Sequence, residues 1–241
     1  MISGYHLPVA EHYEKFPYPS YPFFSLGSWK ALEAVDCSKW GAAIPIRDIW
    51  IAGCGTIAPL MFARRNFGAN IIASDLSSRS LFILSRRLKL FGMRNVGLKC
   101  EDLFDTKYEN AFDAVDAYGV IHHTISPQKS FENLVRSLRL GGVIRVMVYS
   151  EQVRIQIEEL RRRAREKDLK NIEDVKSFLL NEKLDLNGDL SHTSGIADAI
   201  LNPMVHVFSR ESFEKLISSV LSIKTIRLED RGNFIFFGQK I

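Results

Sequence analysis

Between Ile46 and Tyr149, short β-branched or apolar runs alternate with stretches of helical period, and this alternation limits the possible folds more than any other feature. Repeated strand, helix and strand units bury their apolar surface as a parallel sheet covered by helices on both faces. Strands are expected at 48–52, 70–74, 96–99, 114–118 and 143–149, and helices at 59–66, 78–91 and 128–138. Gly92 and the Gly141-Gly142 pair are expected to stop the last two helices. Right-handed crossovers make such a sheet doubly wound. A helix near 209–221 and strands at 223–229 and 234–239, joined through Asp230-Arg-Gly-Asn233, close the chain, and the junction reads as a hairpin. The expected fold is therefore α/β: a Rossmann-like, doubly wound, mostly parallel seven-stranded sheet with a C-terminal antiparallel hairpin.

A chain of 241 residues, 46% of them hydrophobic, suits one large α/β domain or a core carrying an insertion. Four regions follow: an N-terminal arm and helix (1–45), the core (46–150), a helical insertion or lid (151–205), and a helix and hairpin that complete the core (206–241). In the first, proline at 17, 19 and 22 forbids an ordinary helix, so 11–24 is expected as an extended arm. Its Tyr13, Tyr18 and Tyr21 either cover a ligand pocket or pin the arm to the domain. In the third, helices at 151–167 and 171–180 precede a polar stretch through Asn187-Gly188-Asp189 and His192-Thr-Ser-Gly195 to Pro203, expected over the carboxyl edge of the sheet.

The 32 basic and 28 acidic side chains leave a formal charge of +4, too small to imply a nucleic-acid partner unless the positive charge clusters. Arg161-Arg162-Arg163-Ala164-Arg165 is such a cluster, but it lies in a helical stretch with Glu158, Glu159 and Glu166 as neighbours and reads as a solvated helix face. Cys37, Cys54 and Cys100 form no CxxC pair and are expected to be reduced. With no basic segment leading an apolar run at the start, and no stretch approaching 18 apolar residues, a soluble cytoplasmic protein without a membrane partner is expected.

The sharpest local signal is Ile49-Trp-Ile-Ala-Gly-Cys-Gly-Thr56, an apolar strand that turns on two glycines before a helix. Glycines there let the backbone approach a ligand at the carboxyl end of a strand, where doubly wound sheets bind theirs. The run Gly53-x-Gly55-x-x-Ala58 also meets the dinucleotide fingerprint, so NAD stands beside S-adenosylmethionine at this point. Asp75, 22 positions after Gly53, ends the next strand on a carboxylate suited to both ribose hydroxyls, a feature common to both ligands. Two further signals separate them. Asp102 follows the third strand, where a carboxylate suits the adenine amino group, and 112–123 reads as a fourth strand running into a loop with paired His122 and His123.

In this order and spacing, the chain resembles the class I S-adenosylmethionine-dependent methyltransferases. The resemblance rests on Ala52-Gly-Cys-Gly-Thr56, Asp75, Asp102-Leu103, Gly119-Val-Ile-His-His123 and the Arg139-Leu-Gly-Gly142 turn, and covers roughly Arg47 to Tyr149. More narrowly, it is similar to a bacterial subgroup that pairs a Tyr-Glu-x-x-Pro-Tyr-Pro arm (here 13–19) with Ile-Ala-Gly-Cys-Gly-Thr (51–56) and a Tyr-Ser ending to the fifth strand (149–150). Two positions depart from the general family, which places an acid two residues before the first glycine and a third glycine after the threonine: this chain has Ile51 and Ile57.

The resemblance implies S-adenosylmethionine as cofactor and S-adenosylhomocysteine as product. It implies cofactor contacts from Tyr13, Gly53, Cys54, Gly55, Thr56, Asp75, Leu76, Asp102, Leu103, Tyr118, Gly119 and Val120. Tyr18, Tyr21, His123 and His206 are expected on the acceptor side, with a small molecule as acceptor. His122 and His123 are the candidates for a catalytic base, against the plainer role of lining the pocket. No metal is expected, because adjacent histidines rarely converge on one ion and no HxxxH or HExxH spacing occurs. An NAD-dependent oxidoreductase and a protein that binds the cofactor without turnover are the competing readings.

Overall fold

The computed structural model describes residues 4–25, 29–182 and 188–241, so Asn187 of the expected polar stretch lies outside the described residues. In chain order the elements are α1 (Leu7–Lys15), α2 (Trp29–Ala34), β1 (Asp48–Ala52), α3 (Ala58–Arg65), β2 (Asn70–Asp75), α4 (Ser78–Leu90), β3 (Val96–Cys100) and β4 (Phe112–Tyr118). They continue with α5 (Pro127–Ser137), β5 (Leu138–Val148), α6 (Glu151–Glu166), α7 (Ile172–Asn181), α8 (Thr193–Ile196), α9 (Arg210–Ser218), β6 (Ile223–Arg231) and β7 (Asn233–Lys240). A π-helical turn, Ala197–Leu201, extends α8.

The seven strands form one sheet in the order β3-β2-β1-β4-β5-β7-β6. The first five pair in parallel, whereas β7 runs antiparallel to both β5 and β6. Strand order reverses between β1 and β4, and the crevice beyond their carboxyl ends is where such sheets bind ligands. Parallel strands in the middle of a sheet must be apolar on both faces, and β1 shows how. Ile49 and Ile51 join Trp40, Leu60, Phe62 and Leu84 in one core, while Trp50 and Ala52 join Phe112, Phe131, Ile144 and Phe236 in the other. A third core lies off the sheet, where Leu160, Ala164, Val175, Phe178, Leu179, Ile196, Ala199 and Ile200 pack together.

Two expectations need correction. Residues 11–15 of the arm are helical, in α1, which carries Pro8 in its first turn. Proline 17 restricts only itself and Phe16, so the backbone turns irregular from Phe16 onward. The Gly141-Gly142 pair does not stop a helix: α5 ends at Ser137 and β5 already begins at Leu138. The register between β4 and β5 slips between Phe112 and Ala114. The pair lies at this irregularity, with Gly141 at φ +79° and the Cβ position of Gly142 only 2.9 Å from the Asp113 carbonyl oxygen. Gly92 does follow α4 with φ +68°, as a helix stop should.

Candidate functional site

The glycine loop leaves β1 with Gly53 at φ +60° and Gly55 at φ +57°, a region that side-chain-bearing residues rarely adopt. Neither position has room for a methyl group. A Cβ on Gly53 would stand 2.6 Å from both Val120 methyls, and one on Gly55 would stand 2.6 Å from the Tyr18 carbonyl oxygen. The Cys54 N–H donates to the Ser74 carbonyl (2.9 Å), tying the loop to the end of β2. The Cys54 thiol points into the core, where burial pushes its pKa up and keeps it neutral.

Asp75 closes β2 beneath this loop. Its Oδ2 accepts the Gly55 N–H at 2.7 Å and its Oδ1 accepts the Ser77 N–H at 2.9 Å. Burial raises the Asp75 pKa, and the same two N–H groups pull it back down. Leu76 next to it is half-buried, and Ser77 Oγ caps α4 by accepting the Ser80 N–H. On the far side of the crevice β4 ends at Tyr118, which is 45% exposed, followed by Gly119 at φ +80° and half-buried Val120. The Tyr118 ring lies over the guanidinium of Arg145, which pairs with Asp116 on the neighbouring strand at 2.7 Å. Asp102 stands beyond β3, its Oδ1 accepting the Phe104 N–H at 2.9 Å, with Leu103 buried beside it. The Glu101 N–H donates to the Asp75 carbonyl, so the two carboxylate-bearing turns adjoin.

The fold therefore gathers Gly53, Cys54, Gly55, Thr56, Asp75, Leu76, Asp102, Leu103, Tyr118, Gly119 and Val120 along one edge of the sheet. The N-terminal segment lies across that edge. His6 Nε2 accepts the Ile125 N–H at 2.9 Å, so in the neutral ring Nδ1 carries the proton and donates to Asp102 Oδ2 at 2.7 Å. The Tyr13 carbonyl accepts the Ser77 hydroxyl at 3.2 Å. The Tyr18 and Pro19 carbonyls accept the Thr56 N–H (3.2 Å) and hydroxyl (2.6 Å). Tyr21 is exposed, and its carbonyl accepts from the buried Arg87 at 2.7 Å.

Of the residues expected on the acceptor side, His123 alone enters a buried polar cluster around Asp198, which Tyr13, expected at the cofactor, shares, whereas Tyr18 and Tyr21 lie elsewhere. Asp198, from the π-helical turn, accepts the Tyr13 hydroxyl at 2.7 Å, the Asn202 amide at 3.1 Å and the Tyr149 hydroxyl at 3.1 Å. Burial alone would raise the Asp198 pKa, but His123 and the hydrogen bonds from Tyr13 and Asn202 hold it below the ordinary carboxylate value. His123 Nδ1 bonds to the Met204 carbonyl at 2.7 Å, which requires a proton on Nδ1 and leaves the Nε2 lone pair facing Asp198 Oδ1 at 3.8 Å. Burial lowers the His123 pKa, so the ring is neutral. His122 is fully buried against the Tyr149 ring, with neither ring nitrogen hydrogen-bonded, and burial lowers its pKa further. His206 is half-buried, its N–H donating to the His122 carbonyl at 2.8 Å.

His6, His12, Asp198 and Asn202 were not among the expected site residues. Asp198 and Asn202 had a signal: a lone acid, with an amide four residues on, inside the otherwise apolar run Ile196-Ala-Asp-Ala-Ile-Leu-Asn202. The arginine cluster is not a free basic surface. Arg161 is buried and donates to the Ala199 and Asn202 carbonyls, Arg162 pairs with Glu159 and Glu166, and Arg163 pairs with Glu182. Among the described residues, no helix is long and apolar enough to cross a membrane, and no three His, Cys, Asp or Glu side chains are grouped to hold a metal ion.

Residues 51–146 match the family described as a methyltransferase domain. An uncharacterized protein of Synechococcus is 30% identical over 112 residues, a stretch covering 45% of this chain and 27% of that protein, so the chain spans about a quarter of its curated relative. Among solved structures, an S-adenosylmethionine-dependent methyltransferase from Aquifex aeolicus superposes with TM-score 0.57 at 12% identity, over 87% of this chain and 89% of its own. The N-methyltransferase NodS from Bradyrhizobium japonicum, solved with S-adenosyl-L-homocysteine, superposes with TM-score 0.56 at 9% identity, over 97% and 98%. At such identities these likenesses concern the fold. Residues 51–146 thus match a methyltransferase-domain family, and the mostly parallel seven-stranded sheet has the Rossmann-like fold of these solved methyltransferases.

Proposed function

We propose that the chain transfers a methyl group from S-adenosylmethionine, in line, to a small-molecule acceptor and releases S-adenosylhomocysteine. The observation that carries this reading is the Asp75 carboxylate hydrogen-bonded to the Gly55 N–H, which joins the ribose acid to the glycine loop at the reversal of strand order. The competing NAD reading shares both features. It loses ground to the strand order, because antiparallel β7 sits between β5 and β6 where the dinucleotide fold has a parallel sixth strand.

The residues present fit the cofactor. Gly53 is exposed, and its bare backbone, with the Val120 methyls packed against the position a Cβ would take, is a cradle open to a ligand. When bound, S-adenosylmethionine supplies a methyl group already activated on a sulfonium, so the protein's task is alignment and exclusion of water. The backbone of Gly53 to Thr56 and the Tyr118–Gly119 turn hold the amino-acid end, Asp75 holds the ribose hydroxyls with Leu76 beside them, and Asp102 and Leu103 hold the adenine. The neutral His123, with its proton fixed on Nδ1 by Met204, offers Nε2 as the acceptor for a proton released by the substrate. His122, fully buried against the Tyr149 ring, lines the wall. Tyr18, Tyr21 and His206 border the acceptor, with Tyr13 anchoring the segment that covers it.

The test is calorimetric titration with S-adenosylmethionine, S-adenosylhomocysteine and NAD on wild type and Asp75→Ala. An adenosyl ligand should bind, and Asp75→Ala should weaken it by about 1.5–3 kcal/mol, the scale of a hydrogen bond to a charged group. Saturable binding of NAD alone would end the methyltransferase reading.

A further inference from the structure

Residues 6–22 touch the glycine loop, the Ser77 turn beside Asp75, and Asp102, but they do not treat them alike. At the glycine loop and at Ser77 the segment contributes main-chain carbonyls, Tyr18, Pro19 and Tyr13, that accept from the edge of the site. At Asp102 it inserts a side chain. His6 is fully buried, Asp102 is 3% exposed, and their polar atoms are 2.7 Å apart. An adenine amino group needs to come within about 3 Å of the same carboxylate, and an oxygen so covered admits no ligand atom at that distance until something moves.

The chemistry of the two groups coincides. The imidazole donates an N–H to Asp102 Oδ2 and accepts a backbone N–H, that of Ile125, on its other nitrogen. Adenine presents the same pair along one edge, an amino donor beside a ring-nitrogen acceptor. The Phe104 ring meets the imidazole edge to face at 5.3 Å, so the subsite supplies apolar cover as well.

We propose that His6 is an internal competitor for the adenine subsite, so that the cofactor gains Asp102 only when the N-terminal segment withdraws its imidazole. The proposal rests on the methyltransferase reading above. A group tethered through the same chain competes at high effective concentration, so its docking lowers the apparent affinity of the cofactor by the fraction of molecules it occupies. The amino-acid end of the site, at exposed Gly53, is outside this competition. The cofactor therefore meets the glycine loop first, and displacement of His6 completes its binding.

The test uses S-adenosylhomocysteine as probe on the full chain. Titration of His6→Ala should give binding about tenfold tighter than wild type, the equivalent of losing one competing hydrogen-bonded contact. Adenosine, which lacks the amino-acid end, should gain by the same factor. On the wild type alone, hydrogen exchange should show the Ile125 amide and residues 4–12 exchanging faster when S-adenosylhomocysteine is bound. This second measurement decides the matter even if His6→Ala folds poorly. Unchanged or weaker binding by a folded His6→Ala, or slower exchange at Ile125 on binding, would overturn the competition while leaving the cofactor reading intact. Failure of wild type and variant alike to bind either adenosyl ligand would overturn both.

Discussion

The two ends of the sheet's carboxyl edge are built by different means. At the Gly53 end the shape is carried by backbone: two glycines at positive φ, a third at Gly119, and an exposed Gly53. At the Asp102 end it is carried by side chains, an aspartate and a histidine 96 positions apart in sequence, both buried. A backbone-made cradle is present whether or not a ligand is there. A side-chain-made closure depends on where a distant segment docks, so the two ends should respond differently to the same perturbation.

The largest effect is expected at the point where the N-terminal segment rests on the cradle. Gly55→Ala would force a Cβ against the Tyr18 carbonyl and hold alanine at φ +57°, and it should destabilise the protein by about 3 kcal/mol in urea unfolding. A loss below about 0.5 kcal/mol would mean that the segment is not seated there.

The next effect is one of pH and falls on the segment itself. Burial lowers the His12 pKa from 6.5 to about 4, with Asp198 opposing and His123, Arg161 and Lys15 reinforcing. A depressed pKa stabilises the fold above 6.5, and that stability is lost as the pH falls toward about 4, because the unfolded chain takes up the proton first. A loss of about 2–3 kcal/mol across this window is expected from His12, and His12→Gln should flatten the corresponding slope of stability against pH. An unaltered slope would show that His12 leaves the interior before it titrates.

The smallest effect isolates the open end. Gly53→Ala should weaken S-adenosylhomocysteine by about 1.5 kcal/mol by pushing Val120 into the cradle, and Val120→Ala in the same chain should restore most of it. If the two changes simply add, Val120 is not the neighbour that matters, and the contrast between the ends would have to be redrawn.

The same contrast separates what could be read in the sequence from what could not. The limits of β1 and the starts of β2 and β3 follow from local apolar runs and stand as expected. The turn of the glycine loop and the placement of Asp75 at the end of β2 are legible because both depend on residue type at short spacing. The helical character of 11–15 is obscured by the prolines at 17, 19 and 22, whose constraint reaches back only one residue and so leaves α1 intact up to Lys15. His6 was illegible altogether: nothing near it in the chain distinguishes a buried partner of Asp102 from an ordinary surface histidine. The hidden role of Gly141-Gly142 likewise depends on a register slip against β4, well upstream in the chain, which no local pattern encodes.

The block formed by α6, α7, α8 and the π-helical turn has a consequence of its own. It departs from Ser150 and returns at Phe208, and these two residues form a bridge, with the Phe208 N–H donating to Tyr149 and the Phe208 carbonyl accepting from Glu151. The loop's two feet thus stand side by side, and between them the block satisfies its apolar residues largely with one another. Such a stem is a socket. The sheet would tolerate a block of another length or shape on the same two feet, provided it returned an acid to the place of Asp198, so this block can vary without rebuilding the glycine-loop edge of the sheet.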